Sequence, residues 1–428
     1  MKYIFSIIIV LLAISPSTAQ LVDKGETGTF VLSNATVVTV TKGTLENASV
    51  VIDNGKILEV GKNVLVPPGA KNIDCTGLSI YPGMIDGGTQ LGLIEVSSVS
   101  LTRDANELGE TTPQMQALTA VNPNSVAIPV TRVSGVTTVL SMPTGGRFPG
   151  TASLIDLWGY TPDQMFAGFK GIILNYPSTG RRGRWDRRSD EEIKKEEEKS
   201  LKALNDTWEE ATLYAQLSKD GGELEYNPEM EVLAEVINGN TTLMVNANQA
   251  KDIESALGWV EKNKIQKVIL VGAYEGWRVA DKIVAANIPV ITGPILRTPS
   301  RASDRYDKAY ANAGLMQKAG VKVAIRTNET ENVRNLPFNA GFAAAYGMGK
   351  EEALKAITIV PAEIFGIADK AGSIEAGKNA TLFVTDGDPF ETKTQVQHVF
   401  INGWKVPMDS RHIRLYDEFL DRQPGVKK

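Results

Sequence analysis

Histidine and cysteine are nearly absent from this sequence of 428 residues, which contains two histidines and one cysteine. Most catalytic zinc sites are built from histidine nitrogen and cysteine sulfur, so a histidine-rich metal centre cannot be assembled from this chain. A lone Cys75 also excludes an internal disulfide, a Cys-x-x-Cys redox pair and a zinc finger. Both histidines, His398 and His412, lie near the C-terminus, so a Ser-His-Asp or Cys-His catalytic site would have to use one of them.

A strong charge excess, a long apolar run after the first twenty residues and an internal repeat are also missing. The 45 Lys and Arg and 50 Asp and Glu residues give a formal net charge of -5, which argues against a nucleic-acid-binding surface. No later stretch is apolar over the ~18 residues that a membrane-spanning helix needs, so no span is expected after signal cleavage. The absence of a period argues against a solenoid or a propeller.

The first twenty residues have the pattern of a secretory signal peptide. Lys2 provides a positive start, residues 3–14 form an apolar run too short to cross a bilayer, and small residues follow at 17–19. We therefore predict a signal peptide at residues 1–19 and an exported protein, periplasmic or secreted. A buried N-terminal helix is the alternative interpretation.

Two segments rich in Val, Ile and Thr flank the chain and predict β-strands. The first covers residues 28–80, in which Asp53-Asn54-Gly55 predicts a hairpin turn. The second includes residues 381–385 and 396–401. We predict one small β domain built from both ends of the chain.

The middle of the chain alternates short apolar strands with helix-like stretches. This alternation predicts an α/β fold with a parallel sheet, either closed as a (β/α)8 barrel or open and doubly wound.

A segment at about 180–224 departs from this alternation, because residues 189–218 are crowded with charges of both signs and begin with the capping-box pair Ser189 and Glu192. We predict a long exposed helix there. Residues 181–185, Arg-Arg-Gly-Arg-Trp, are either a solvated loop or a site for an anion or a partner. The predicted strands lie at 136–140, 172–174, 243–245, 267–271, 290–292 and 321–325.

Several motifs resemble the amidohydrolase superfamily, particularly its imidazolonepropionase-like and dipeptidase-like branch. The first, YPGMID at residues 81–86, opens the α/β region. The others lie near its end: ALKAIT at 353–358, PAEIFG at 361–366 and GSIEAGKNA at 372–380. Their order and spacing match the family pattern, and the resemblance covers nearly all of the mature chain.

The resemblance implies a TIM-like (β/α)8 barrel over residues 81–369. It also implies a composite β-sandwich made of residues 20–80 and 370–428. In this family a divalent metal at the C-terminal ends of the barrel strands generates hydroxide from water and polarises the scissile carbonyl. The implied activity is therefore metal-dependent hydrolysis of C–N bonds in amides, cyclic amides or peptides.

The positions of the family's metal ligands carry other residues in this sequence. Gly88 and Gln90 stand where the first strand of the family has its two histidines. Asn246 and Gly272 take the positions of the histidines on strands five and six, and Asn328 takes that of the strand-eight aspartate. Glycine has no ligand atom, and neutral amide oxygens are poor zinc ligands. We therefore predict that the family's zinc or other divalent metal is not bound and that no cofactor is used.

Three hypotheses of function remain open. The favoured one is a pseudoenzyme that acts as a partner subunit of an active relative, in a homo- or hetero-oligomer, or as a protein that binds a small molecule or peptide. The second is an active hydrolase with a rebuilt carboxylate site, for which Asp86 and Glu275 are the candidates, with Glu95, Asp104 and Glu107 also expected near the barrel mouth.

The third hypothesis is a binding module whose neutral side chains converge on a ligand by hydrogen bonding. The alternative interpretation is that these side chains fill the space left by the metal. The expected vestigial pocket consists of Gly88, Gln90, Asn246, Asn248, Gly272, Tyr274 and Asn328.

Overall fold

A computed structural model of the protein describes residues 24–178, 180, 186–221 and 225–422. The predicted signal peptide at residues 1–19 and the basic motif at 181–185 lie outside the described residues. Two eight-stranded sheets organise the described chain. Their strands are β1 (Phe30–Val38), β2 (Thr44–Asp53), β3 (Lys56–Gly61), β4 (Lys71–Asp74), β5 (Ser79–Pro82), β6 (Met84–Thr89), β7 (Val136–Ser141), β8 (Thr151–Asp156), β9 (Phe166–Asn175), β10 (Thr242–Ala247), β11 (Val268–Gly272), β12 (Val290–Thr292), β13 (Val323–Ile325), β14 (Leu382–Thr385), β15 (Val396–Ile401) and β16 (Trp404–Val406).

The helices lie mostly between the strands of the second sheet, β6 to β13. Most are short, and one is a long insertion between β9 and β10. They are α1 (Ala117–Ala120), α2 (Ala127–Arg132), α3 (Pro162–Met165), α4 (Asp190–Lys219), α5 (Pro228–Ile237), α6 (Ala250–Lys262), α7 (Ala280–Ala285), α8 (Lys308–Lys318), α9 (Leu336–Ala343), α10 (Lys350–Lys355), α11 (Ile359–Ile364) and α12 (Arg411–Asp421). No helix among the described residues is both long enough and apolar enough to cross a membrane.

The first sheet joins strands from the two ends of the chain, in the order β16-β15-β14-β5-β1-β2-β3. The predicted turn is present, because Asn54 and Gly55 have positive φ angles of 48° and 80° between β2 and β3. The register of β1 shifts after Leu32, and the strand pairs with β4 before this shift and with β5 after it. The predicted β domain built from both ends of the chain is therefore present, and its strands form one continuous sheet.

The second sheet has the strand order β13-β12-β11-β10-β9-β8-β7-β6, and it forms a nearly closed barrel. Beyond β13 the chain meets β6 again, where the Asn328 N–H donates to the Gly88 carbonyl at 3.0 Å. The TIM-like prediction is confirmed in outline and the doubly wound alternative is wrong. Strand β8 is a correction to the (β/α)8 expectation, since it runs antiparallel to both neighbours. Residues 142–150 before it are too few for the crossover helix that a parallel neighbour requires.

The helix predicted over 189–218 spans Asp190–Lys219, and the Ser189–Glu192 capping box is formed in both directions. The helix α4 is not exposed on all sides. Trp208 is buried, and its ring meets that of Trp259 on α6 edge-on, with the ring centroids 5.0 Å apart. This contact attaches the insertion to the outside of the barrel.

Candidate functional site

Asp86, within β6, meets the segment that follows β13, and it is buried where the barrel closes. Its Oδ1 accepts hydrogen bonds from the backbone N–H groups of Gly88 at 3.0 Å and Thr327 at 3.1 Å. Its Oδ2 accepts from the Thr327 hydroxyl at 2.5 Å. This carboxyl therefore joins the first and last strands of the barrel.

Burial raises the pKa of Asp86 to about 7. The hydrogen bonds from Thr327 and Gly88 and the positive charge of Arg326 act in the opposite direction, because they favour the ionised form. Asp86 is thus a carboxyl that changes its protonation near neutral pH. It has no exposed surface through which to exchange a proton directly with a substrate.

Met142 and Arg326 fill the space beside Gly88, which the family resemblance predicts to stand where the first histidine would be. A Cβ atom at Gly88 would lie 2.5 Å from the sulfur of Met142 and 3.1 Å from Cδ of Arg326. Arg326 is buried and donates from Nε to the Gly293 carbonyl at 3.3 Å. Burial lowers the pKa of Arg326, and its interactions with the Tyr274 side chain and with Asp86 oppose that shift. A guanidinium group therefore stands at the centre of the mouth.

Three asparagine amides form a second group at the ends of β9 and β10. Asn246 donates to the Asn175 side-chain oxygen at 3.0 Å, and Asn175 donates to the carbonyls of Gly145 and Gly146. The Asn248 amide donates weakly to Asn246 at 3.4 Å. The two bonds from Asn175 hold residues 145–146 against the barrel. The side chains of Asn246 and Asn248 hydrogen-bond to neighbouring asparagines.

Gly272, which the family resemblance predicts to stand where the strand-six histidine would be, lies against this amide group. Its φ is +88°, and a Cβ atom there would lie 2.2 Å from Oδ1 of Asn248. That oxygen is buried and has no hydrogen-bond partner among the described residues. The space that a histidine would need is occupied by the Asn248 side chain.

Glu275 is buried, and both of its oxygens are occupied. Arg301 donates to them from Nε and Nη2, each at 2.6 Å, and the N–H of Ala250 at the start of α6 donates to Oε2 at 3.0 Å. Burial raises the pKa of Glu275, but these hydrogen bonds and the charges of Arg301 and Arg278 outweigh it, so the pKa is lowered overall. Glu275 caps a helix and pairs with an arginine in this structure.

The remaining predicted residues are spread around the mouth. Asn328 is exposed and has a left-handed φ of 52°, which asparagine tolerates well. Gln90 is half-buried, and its N–H donates to the Glu329 carbonyl. Tyr274 contacts the guanidinium of Arg297, which lies 3.6 Å from the ring centroid. Asp104 and Glu107 are exposed, and Glu95 accepts a hydrogen bond from Asn122 at 3.1 Å.

The structure thus brings together Asp86, Gly88 and Tyr274 around Arg326, and Asn246, Asn248 and Gly272 in the amide group. Asn328 contacts the first group only through its backbone N–H, which donates to the Gly88 carbonyl. Sequence reasoning missed Arg326, Met142 and Thr327. Arg326 could have been identified from the sequence, because it directly follows the apolar strand β13, and barrel active sites lie at that end of the strands.

The donor set does not suit the family's divalent metal. Among the described residues there is no group of three or more His, Cys, Asp or Glu side chains that could hold a metal ion. The oxygens of Asp86 already accept hydrogen bonds, and the nearest charged neighbour is a cation. The arrangement can donate and accept hydrogen bonds and can pair with an anion, but it offers no cluster of anionic ligands.

Comparisons with known proteins support the family resemblance and the barrel fold. A model of the amidohydrolase family matches residues 227–406. The crystal structure of an amidohydrolase from Thermotoga maritima MSB8 is similar to the chain with a TM-score of 0.77 and 26% identity, covering 88% of this chain and 99% of that one. An imidazolonepropionase of Shouchella clausii is 42% identical over 86 residues, and one of Thermoplasma volcanium is 35% identical over 106 residues. These two matches span 19% and 26% of the relatives' own lengths and 19% and 23% of this chain.

Proposed function

Because the chain belongs to the amidohydrolase superfamily, we propose that it is an exported member that has lost the metal-binding residues and is not a catalyst. It acts as a partner subunit of an active relative or as a ligand-binding protein. The observation that carries this proposal is the filling of the Gly88 position by Met142 and Arg326. A barrel that merely lacked one ligand would leave space there, whereas this one has rebuilt the space with other side chains.

The charge of Arg326 adds to the steric argument. Its Nη1 lies 3.5 Å from where a Cβ atom of residue 88 would be, so a divalent metal near this position would be close to a guanidinium. Like charges at such distances repel strongly in a buried setting. The raised pKa of Asp86 also disfavours metal binding, since a carboxyl that is partly protonated at pH 7 is a poor metal ligand.

Metal analysis of the purified protein tests this proposal. The chain is produced in medium that contains zinc and manganese, and its metal content is compared with that of a chelator-treated sample. Both samples are then assayed for hydrolysis of dipeptides, N-acyl amino acids and cyclic amides. We expect less than one-tenth of an equivalent of metal and no turnover. One bound metal per chain together with turnover that the chelator abolishes would contradict the proposal.

One observation favours a second candidate, an active hydrolase with a carboxylate-based site. A carboxyl with a pKa near 7 has the protonation behaviour of a general acid or base, and for the buried Asp86 this role requires that substrate binding expose it to the reacting atoms. If the hydrolysis screen finds turnover, Asp86→Asn should abolish it, while Glu254→Gln on the outer helix α6 should leave it unchanged. Turnover that survives both Asp86→Asn and Glu275→Gln would show that neither candidate carboxyl is needed.

The partner and export parts of the proposal need their own measurements. Affinity purification from the source organism should recover a relative that retains the Asp-x-His-x-His motif if the chain is a partner subunit. Absence of any such relative, with the chain running as a monomer, would leave only the ligand-binding role. N-terminal sequencing of the mature protein should begin at Gln20 if the predicted signal peptide is cleaved, and a start at Met1 would contradict export by this route.

A further inference from the structure

A cavity of about 380 Å³ lies at the end of the barrel opposite the mouth. Its walls come from α2, which precedes β7, from the segment after the antiparallel strand β8, and from residues 407–414 after β16. None of these segments contributes to the vestigial pocket. The volume lies within the range of ~300–1000 Å³ that is typical of small-molecule sites.

Arg132 lines this cavity and is only 6% exposed. Its guanidinium carbon lies 4.9 Å from the ring centroid of Trp158. Among the described residues its Nε is buried without a hydrogen-bond partner. Leaving a buried charged donor unsatisfied costs free energy, so this group is prepared for an acceptor that comes from outside the chain.

Ser125 is a second unsatisfied group on the same wall. It is 1% exposed, and its hydroxyl oxygen has no hydrogen-bond partner within the described part of the chain. A hydroxyl and a guanidinium N–H can both donate, and a carboxylate oxygen is an acceptor for either of them.

The charges and the apolar surface around the cavity narrow the ligand class. Three arginines, Arg132, Arg411 and Arg414, line it against one acid, Asp409, which accepts a hydrogen bond from Arg414 Nε at 2.5 Å and also interacts electrostatically with Arg132. An anion is therefore favoured. The rest of the wall includes Trp158 and Tyr160, whose rings lie 6.3 Å apart and offer an apolar surface.

We propose that this cavity binds a small monocarboxylate with an apolar, preferably aromatic, body. The carboxylate accepts hydrogen bonds from Arg132 and Ser125, and the apolar body packs against Trp158 and Tyr160. The site is independent of the barrel mouth, so it can be present whether or not the proposed loss of catalysis is correct.

Binding of 3-phenylpropanoate, measured by calorimetry and thermal shift on the full mature chain, tests this proposal. Its neutral analogue 3-phenylpropanamide tests the charge, and inorganic phosphate tests whether an anion without an apolar body is sufficient. We expect the acid to bind and the amide and phosphate to bind at least tenfold more weakly, since a hydrogen bond to a charged group contributes about 1.5–3 kcal/mol. No binding of the acid at ~5 mM, or equal binding of acid and amide, overturns the proposal.

Variants place the ligand in the cavity. Arg132→Gln should weaken the acid about 10-fold to 100-fold. Because Arg132 is buried and that variant could fail to fold, Ser125→Ala and Tyr160→Ala serve as independent tests. Tyr160 is 62% exposed, so its removal leaves the fold intact. Ser125→Ala should keep the melting temperature of the free protein and weaken the acid severalfold, while Asn246→Ala at the barrel mouth should not affect it. Unchanged affinity in folded Ser125→Ala and Tyr160→Ala variants would place the acid elsewhere and contradict this site.

Discussion

Asp86 and Arg326 are both buried at the barrel mouth and interact electrostatically. Burial disfavours the charged form of each side chain, so it raises the pKa of the carboxyl and lowers that of the guanidinium. An arginine keeps its proton at neutral pH even when its pKa is lowered. The carboxyl is therefore the group whose charge changes near pH 7, and its charge affects the stability of the barrel closure.

Asp86→Asn should remove a pH-dependent part of the stability. The pKa of Asp86 is about 7 in the folded chain and near 3.8 in the unfolded chain, so the folded chain holds a proton that the unfolded chain loses between these values. Its contribution is thus complete below about pH 4 and is lost as the pH rises to about 7. Three pK units correspond to about 4 kcal/mol.

Urea unfolding of wild type and Asp86→Asn between pH 4 and pH 8 measures this effect. The amide keeps the acceptor for Gly88 and can donate to the Thr327 hydroxyl, so it imitates the protonated acid. The free energy of unfolding of wild type relative to the variant should fall as the pH rises. A difference that stays constant, or that grows with pH, would show that Asp86 is ionised throughout.

Gly272→Ala should destabilise the protein by about 1–3 kcal/mol, a typical cost of overpacking a core or of a left-handed φ at a residue with a Cβ. The new methyl would meet the Asn248 side chain at a φ of +88°. Gly258→Ala is the matched control, because a Cβ atom at that position on α6 meets nothing within 4 Å. Thermal unfolding should show a lower midpoint for the first variant and an equal or higher one for the second. Equal midpoints would mean that the amide group moves aside freely.

At the scale of elements, Glu275 ties the segment after β11 to the start of helix α6. The helix begins at Ala250, whose N–H is one of the four that lack partners inside a helix. Glu275 accepts from this N–H while it pairs with Arg301. A carboxylate at a helix N-terminus also interacts favourably with the helix dipole. One side chain thus fixes the relative position of two elements beside the mouth.

Glu275→Gln should lower the free energy of unfolding by about 1–3 kcal/mol at pH 7, because the amide nitrogen faces a donor. The pKa of Glu275 is lowered in the folded chain, so its stabilisation is present above the ordinary carboxyl pKa and is lost as the pH falls through the lower value. The difference in stability between the two proteins should therefore shrink as the pH falls below the ordinary carboxyl pKa of 4.5. Denaturant unfolding at pH 7 and pH 3.5 measures both effects.

Glu254→Gln is the control on the same helix. Glu254 pairs with Lys282 at the surface at 2.9 Å, and exposed pairs of this kind contribute less than about 1 kcal/mol. A loss at Glu275 no larger than that at Glu254 would show that the buried cap and ion pair do not stabilise α6.

The elements could be predicted where local chemistry decides them. The capping box Ser189–Glu192 and the Asn54-Gly55 turn are local signals, and both are present. Strand β8 was missed because its sequence TASLID alternates poorly and its antiparallel direction depends on the short connection before it. At the site, the family resemblance leads only to the prediction that the metal-ligand positions carry other residues. It could not predict that Met142 and Arg326 would fill the space beside Gly88, because β6, β7 and β13 are far apart in the chain and meet only when the barrel closes.

At the scale of the whole molecule, one apolar core runs from the barrel into the first sheet. Phe383 on β14 belongs to the same buried cluster as Met84 of β6 and Val136 of β7, and its ring stacks on Tyr81 at 5.5 Å. The opposite face of that sheet has a separate core, in which Phe400 meets Phe30 edge-on at 5.3 Å. The first sheet contains strands from both ends of the chain. Its packing against the barrel therefore holds the N-terminal and C-terminal segments together on the same domain.

Phe383→Ala should therefore lower the stability of the barrel and of the first sheet together. Removal of a buried phenylalanine ring costs about 3–5 kcal/mol. Hydrogen exchange followed by mass spectrometry at increasing urea gives separate readings for peptides of β10–β12 and of β1–β3. We expect both sets of peptides to lose protection at one midpoint, which moves to lower urea in the variant, because a shared core makes unfolding cooperative.

Phe400→Ala is the matched control: it removes the same ring from the core that contains no barrel strand, and under a single transition it too should shift both sets of peptides. If Phe400→Ala exposes β1–β3 while β10–β12 stay protected, the two sheets unfold separately and the shared core does not couple them.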